Sequence, residues 1–292
     1  MKSLFPVFAI LLGLIFSQAY RYAFLIQYFL MFILFFPFLN LQINKFYKNT
    51  WWIVLANILI AFIVYLCVVP FNSTLAFIAF ITAITPTATA APAIISFLKG
   101  NVEYVTFSVI LTNCIVALIV PFIIPILIHQ GQPINTQEVF HSILSLFLIP
   151  YFVAQLIKLI SPNLQKAIVN HKNISFYAWN ILLFIASAKA THFIFSESKT
   201  PPAMIFAIAL SSLLVCIINF VVGHFIGGER FAKEASQSLG QKNTMFTVWL
   251  SLSFLQPIVA LGPMFYLLYH NLYNSYQLVQ MNHKLQNGHK QA

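Results

Sequence analysis

The sequence predicts an all-α polytopic membrane protein of about ten transmembrane helices, and three observations carry that expectation. Hydrophobic residues make up 60% of the 292 and charged residues only 7%, where soluble domains carry roughly a quarter charged residues. Mean hydropathy is +0.87. The apolar runs are about 17–25 residues long, enough for a helix to cross a bilayer, and they lack the alternation of a barrel strand. A water-soluble fold of this size would lack polar side chains for its surface, so lipid is the solvent that fits.

The expected spans are 4–20, 22–39, 51–70, 74–98, 102–128, 138–160, 174–194, 202–227, 231–255 and 257–281. The first resembles a signal peptide in having Lys2, an apolar stretch and then Ser17-Gln18-Ala19, but Arg21 leads directly into another apolar run, and the segment is read as a span. With the N-terminus in the cytoplasm, the inside loops hold Lys2, Lys45, Lys48, Lys99, Lys158, Lys166, Lys172, Arg230, Lys233, Lys284 and Lys290, and the outside holds Arg21, Lys189 and Lys199. That bias predicts a multi-pass protein of the cell (inner) membrane with both termini cytoplasmic. Cleaving the first segment would leave the same orientation for the rest. The longest polar connections lie at 40–50 and 161–173, and the tail 282–292 is polar and expected to fray. The net charge of +10 does not point to nucleic acid, because the basic residues are scattered over short loops. Cys67, Cys114 and Cys216 each fall inside an apolar run with no metal-site spacing, and read as small packing residues.

Ten spans divide into a first five-helix repeat, 1–128, and a second, 138–281. An odd number of spans per half turns the second half over in the membrane, a plan common among transporters. The fourth and ninth spans are the polar, interrupted ones in their halves. The fourth carries Thr85-Pro86-Thr87-Ala88-Thr89-Ala90-Ala91-Pro92. Each proline removes a backbone donor and clashes with the preceding turn, and the carbonyls freed at membrane depth need protein, water or a ligand. A simple proline kink, with the threonines bonded to their own helix, is the structural alternative. The ninth carries Ser236-Gln237-Ser238-Leu239-Gly240-Gln241-Lys242-Asn243-Thr244, where Gly240 permits unwinding. A lysine at mid-bilayer costs about 3 kcal/mol on insertion scales, which makes Lys242 a functional candidate. The alternative is a cytoplasmic loop with the span beginning near Met245, but Met245 to Leu255 would reach only roughly 16 Å. Thr112, Asn113, Asn219, His224, His270 and Asn271 are the other polar residues within spans, where such residues usually make interhelical hydrogen bonds. Lys189, towards the outer end of the seventh span, reads as a snorkelling side chain, the alternative being a charge that draws anions into an outer vestibule.

Two segments resemble the bile acid:sodium symporter family: Pro86–Asn101 (PTATAAPAIISFLKGN), and SLGQKN at 238–243 followed by PMFYLLYHNLYNS at 263–275. The resemblance implies two inverted five-helix repeats forming a panel and a core, with the fourth and ninth helices broken and crossing at mid-membrane around Pro86, Pro92 and Gly240. It places Thr89 and Asn243 at substrate-facing positions. It also exposes departures. The family's sodium-ligand positions are here Ala91, Pro92, Ser238 and Lys242, so the expected carboxylate is absent and a cationic side chain has appeared. Sodium needs oxygen ligands, and an ammonium about 4 Å away would repel it by about 4 kcal/mol at an effective dielectric of 20.

These readings predict secondary transport of a small organic anion. Lys242 would replace bound sodium, and Thr87, Thr89, Thr112, Asn113, Asn243, His270 and Asn271 are the candidate polar partners. No cofactor or metal is expected, and a proton gained and lost at Lys242 is the candidate coupling ion. The rival classes are an oxyanion or metalloid efflux permease and a non-transporting sensor on the same fold. An intramembrane enzyme is disfavoured, since no HExxH and no nucleophile motif occurs. Substrate identity and oligomeric state are not encoded in any motif.

Overall fold

Residues 5–39, 45–127, 135–171, 174–197 and 200–289 are described by a computed structural model. Lys2, Lys172, Lys199 and Lys290 of the charge argument lie outside the described residues, as do 40–44 of the first polar connection and the boundary between the expected repeats at 128–134. Helices dominate: α1 (Phe5–Ile15), α2 (Ile26–Leu39), α3 (Thr50–Val68), α4 (Ser73–Ile84), α5 (Ala91–Phe97), α6 (Val102–Leu127), α7 (Thr136–Ile160), α8 (Pro162–Asn170), α9 (Ile174–His192), α10 (Pro202–Gly240), α11 (Thr244–Phe254) and α12 (Leu261–His289). Six helical stretches among the described residues are long and apolar enough to cross a membrane: Ser17–Leu39, Thr50–Val68, Val102–Leu127, Thr136–Ile160, Ile174–Ser196 and Pro202–Gly240. Large apolar side chains such as Phe122, Ile126, Phe206 and Phe225 stand exposed along them. That suits a hydrocarbon solvent and would be an aggregation hazard in water.

The elements differ from the expected spans in three places. The first segment is an 11-residue helix followed by a 3-10 stretch, Ser17–Leu25, that runs into α2, so α1 alone is too short to cross. The expected polar connection at 161–173 contains α8, started by the Ser161 hydroxyl, which accepts from Leu164 N at 3.3 Å, and by Pro162 in the first turn. The tail does not fray at 282, because α12 continues to His289. Of the cysteines, only Cys216 is buried; Cys67 and Cys114 are exposed on apolar helices.

The chain divides into two compact units. The first comprises Met1–Gln42, Ala117–Ile205 and Met245–Leu261. Within it α1 lies along α9 and α2 along α7, with Phe38 edge-on to Tyr151. The Gln165 amide of α8 donates to Leu39 O at 2.8 Å, covering a carbonyl at the end of α2. Lys189 is half-buried, and its Nζ donates to Leu252 O at 3.3 Å, near the C-terminal, negative end of α11.

The second unit comprises Ile43–Val116, Phe206–Thr244 and Gly262–Ala292. Here α3 packs on α4, with Phe62 and Tyr65 edge-on to Phe80. α10 would measure about 58 Å if straight, nearly twice a bilayer core. It folds back instead. Gly228 (φ 57°, ψ −154°) and Phe231 (φ −130°, ψ 25°) leave helical geometry. The Ser236 hydroxyl then donates to Phe220 O at 2.8 Å, a pair that a straight helix would hold about 24 Å apart. α10 is therefore two antiparallel limbs, matching the expected separation between spans 202–227 and 231–255.

The fold-back depends on a residue that tolerates positive φ. A Cβ at Gly228 would meet nothing within 4 Å, so the penalty for a side chain there is purely one of backbone conformation. Gly228→Ala should lower stability by about 1–3 kcal/mol, read from thermal unfolding of the purified protein in detergent. A change near zero would mean that the bend is not held as described.

Candidate functional site

Two helices stop inside the second unit, and each stop is completed by the other. α4 ends at Ile84 because Thr85 turns to an extended conformation (φ −45°, ψ 130°), the geometry a following proline favours. The chain runs extended through Pro86 and Thr87, and α5 begins at Ala91 with Pro92 in its first turn. Pro92 therefore starts a helix, and Pro86 belongs to the break. The second limb of α10 ends at Gly240, and α11 begins at Thr244. Between them Gln241, Lys242 and Asn243 run antiparallel to residues 86–88. Ala88 N donates to Gln241 O and Asn243 N to Pro86 O, both at 2.8 Å, bridging Thr87 and Lys242.

A stopped helix leaves its last carbonyls without intrahelical donors. At α4, Ile81 O accepts from the Thr85 hydroxyl at 3.0 Å, Ile84 O from the Asn57 amide at 2.9 Å, and Ala83 O from Lys242 Nζ at 3.1 Å. Lys242 Nζ also donates to Asn57 Oδ1. At α10, Ser238 O accepts from the Thr87 hydroxyl at 2.5 Å and Gly240 O from the Tyr266 hydroxyl at 2.7 Å. Lys242, from the second break, thus caps the helix before the first; Thr87, from the first, caps the helix before the second. Lys242 is 2% exposed, and the partners named for its ammonium are both uncharged oxygens. A positive charge at the C-terminal end of α4 also meets the negative end of that helix's dipole.

The remaining predicted residues divide. Thr112 and Asn113 of α6 brace the first break: the Thr112 hydroxyl accepts from Thr87 N at 3.1 Å, and the Asn113 amide donates to Thr87 O at 2.8 Å. Asn113 Oδ1 accepts from the Asn243 amide at 3.4 Å. Thr87, Thr112, Asn113, Lys242 and Asn243 are therefore brought together. Thr89 is half-buried at the turn into α5. Asn271 is directed elsewhere, donating to Leu267 O of its own helix at 2.8 Å. His270 is buried on α12, edge-on to Tyr266. Gly240 is still helical, and its small size serves packing: a Cβ there would run into the Phe220 ring.

Sequence reading missed two participants. Asn57 is a lone polar residue in a 19-residue apolar helix, a recognisable signal for an intramembrane hydrogen bond. Glu234 is buried one turn before Ser238, and its Oε1 accepts from Asn101 N at 2.7 Å. It ties the start of α6 to the second limb of α10. No family model matches the chain, and no curated protein matches it.

Asn57 both accepts from the ammonium and caps Ile84, so its removal leaves two groups short of partners. Asn57→Leu should cost on the order of 3 kcal/mol, and Lys242→Met about 1–3 kcal/mol. The double variant should lose less than the sum, with a coupling of about 1–3 kcal/mol in a denaturation cycle. Additive losses would mean that the two side chains do not act together.

Proposed function

We propose that this protein is a secondary transporter of small organic anions, a divergent member of the bile acid:sodium symporter family in which Lys242 stands where relatives bind sodium. The observation that carries the reading is the reciprocal crossing of 86–88 and 241–243, with a buried ammonium at its centre. Broken helices meeting at a crossing are how many secondary transporters build a substrate site. The family assignment rests on the motif residues at 86–101 and 238–275.

Further support comes from chain order. The first unit takes residues from the first two and from the sixth and seventh expected spans, and the second takes the third to fifth and the eighth to tenth, apart from exchanged segments near 117–128 and 245–261. The same two-then-three division in each half of the sequence fits ten spans arranged as two inverted repeats, with both termini cytoplasmic.

In this reading Lys242 donates to an amide oxygen and a backbone carbonyl, the ligand chemistry that a bound sodium ion would otherwise use. The charge keeps its reach. An anion about 8 Å away would still gain about 2 kcal/mol at an effective dielectric of 20, and Thr89 and Asn243 supply hydrogen-bonding groups at the crossing. Release and recapture of the Lys242 proton would couple flux to protons without a metal.

Organic acids should raise the melting temperature of the purified protein equally in sodium and in choline, by mass action. Proteoliposomes should take up the stabilising acid in either salt. Uptake should depend on pH in the native protein and lose that dependence in Lys242→Gln. Strict sodium dependence would overturn the substitution of lysine for metal. Binding without flux would identify a sensor, and oxyanion resistance without organic-acid binding would identify an efflux permease.

A further inference from the structure

Native interiors pair or hydrate nearly all their buried polar atoms, so a local concentration of exceptions marks a place where something else is bound. Among the described residues, nine buried side-chain polar atoms have no hydrogen-bond partner, and six of them fall along one seam of the second unit: Asn219 Oδ1, Gln237 Oε1, Ser238 Oγ, Gln241 Oε1, His270 Nδ1 and Asn274 Nδ2. Each of these residues is at most 4% exposed. Lys242, by contrast, donates to Asn57 Oδ1 and Ala83 O, and the crossing is held by Ala88 N to Gln241 O and Asn243 N to Pro86 O.

The register of the helices explains the concentration. The Gln237 amide donates to Asn274 Oδ1 at 3.1 Å and to Gln277 Oε1 at 2.6 Å, while Tyr266 reaches Gly240 O. The second limb of α10 therefore runs antiparallel to α12, with His270 level with the residues between those two contacts. On α12, Tyr266, His270, Asn274 and Gln277 recur at intervals of four, four and three, which is one face of a helix. Gln237 lies on the last turns of α10, and Gln241 follows the helix end directly, its N–H donating to Gln237 O at 3.0 Å. Asn219, on the first limb, donates to the Tyr266 hydroxyl at 3.3 Å and closes the third side.

Turning the Asn274 amide alone does not remove its shortage. Turning Asn274 around would set its Nδ2 against Gln237 Nε2 and leave its Oδ1 unpaired instead. The unpaired atoms include acceptors on α10 and an amide donor on α12, separated by a helix–helix seam. Water satisfies both kinds at once, and a buried water commonly holds two to four such partners. Gln277 is only half-buried, and beyond it Tyr276 and Gln280 are exposed and the chain turns polar, so the seam opens at one end.

We propose that a file of bound water molecules occupies this seam, running from Gln277 past Asn274, Gln237 and His270 to Gln241, the neighbour of Lys242. It gives the interior of the second unit an aqueous connection that the crossing itself does not supply. The inference concerns hydration alone and holds whether or not solute is carried.

Millisecond radiolytic labelling of the full chain in lipid nanodiscs tests it, because hydroxyl radicals formed from bound water modify the side chains beside it. Tyr266 and His270, normalised for intrinsic reactivity, should label about 10-fold faster than the equally buried Phe80 and Trp249. Asn274→Leu should cut the labelling of His270 by about 5-fold, whereas Asn274→Ser, which keeps a polar group, should not. Both variants are to be compared at matched thermal stability. Labelling of Tyr266 and His270 no faster than Phe80 would overturn the proposal. So would a His270 rate unaffected by Asn274→Leu. Flux assays are not involved, so absence of transport with fast labelling would count against the transporter reading and leave the water file in place.

Discussion

In an apolar solvent a helix can stop only if something else satisfies the groups that the next turn would have satisfied. The second unit meets that demand twice, and the two solutions depend on each other. α4 stops because Lys242, Asn57 and Thr85 take its last carbonyls. α10 stops because Thr87 and Tyr266 take its own. Since Thr87 lies in the first break and Lys242 in the second, neither break is stable as a local feature of its helix. Proline explains why the fourth span bends, but a bend alone would leave carbonyls bare; the reciprocal caps are what allow the chain to remain extended there.

The identity of the capping cation has consequences. A sodium ion held by carbonyl and amide oxygens can dissociate, and the crossing would then lose a bond at every release. Lys242 is tethered to the backbone that it helps to fix, so the group that carries the charge cannot dissociate as an ion does. Two ways remain for such a site to change state: the ammonium gives up a proton, or the side chain withdraws from Asn57 and Ala83. Withdrawal would uncover two polar groups in a site where Lys242 is 2% exposed, which makes it the costlier route. A proton can move without disturbing the helix ends as much, because a neutral amine still donates to at least one of the same oxygens. The tether holds the amine against Asn57 and Ala83.

Much of this arrangement was legible in the sequence. Pro86 and the threonines around it, the polar run at 236–244 and the improbable lysine within it all stand out against an apolar background, because lipid makes each such residue expensive. What could not be read was pairing. Asn57 is a single polar letter in α3, and nothing local says that it meets Lys242, 185 residues away. Gly240 reads as a hinge from its backbone freedom, yet its small size matters because Phe220 lies against it, a fact of packing that only the fold-back of α10 creates. Glu234 sits among charged residues at a predicted helix start and looks solvated; burial follows from the approach of Asn101. The short α1 and the amphipathic α8 were obscured for the opposite reason. Ser17–Leu25 is a short mixed stretch joining two apolar runs, and helical geometry changes there; 162–170 is polar, yet a capped helix forms.

The second limb of α10 draws these strands together. Near its C-terminus Ser238 O accepts from Thr87 and Gly240 O from Tyr266, while side chains on Gln237, Ser238 and the following Gln241 keep unpaired atoms. Backbone order and side-chain incompleteness at the same positions are not contradictory. A crossing that must keep its shape needs every main-chain bond made. A surface that exchanges small polar molecules needs groups whose partners can come and go. Leucines at 237 and 241 would have packed the seam more tightly and left the caps untouched, so stopping the helix does not account for the amides. Their retention beside these capped carbonyls is the physical reason to regard this limb as a fixed frame with a wettable face.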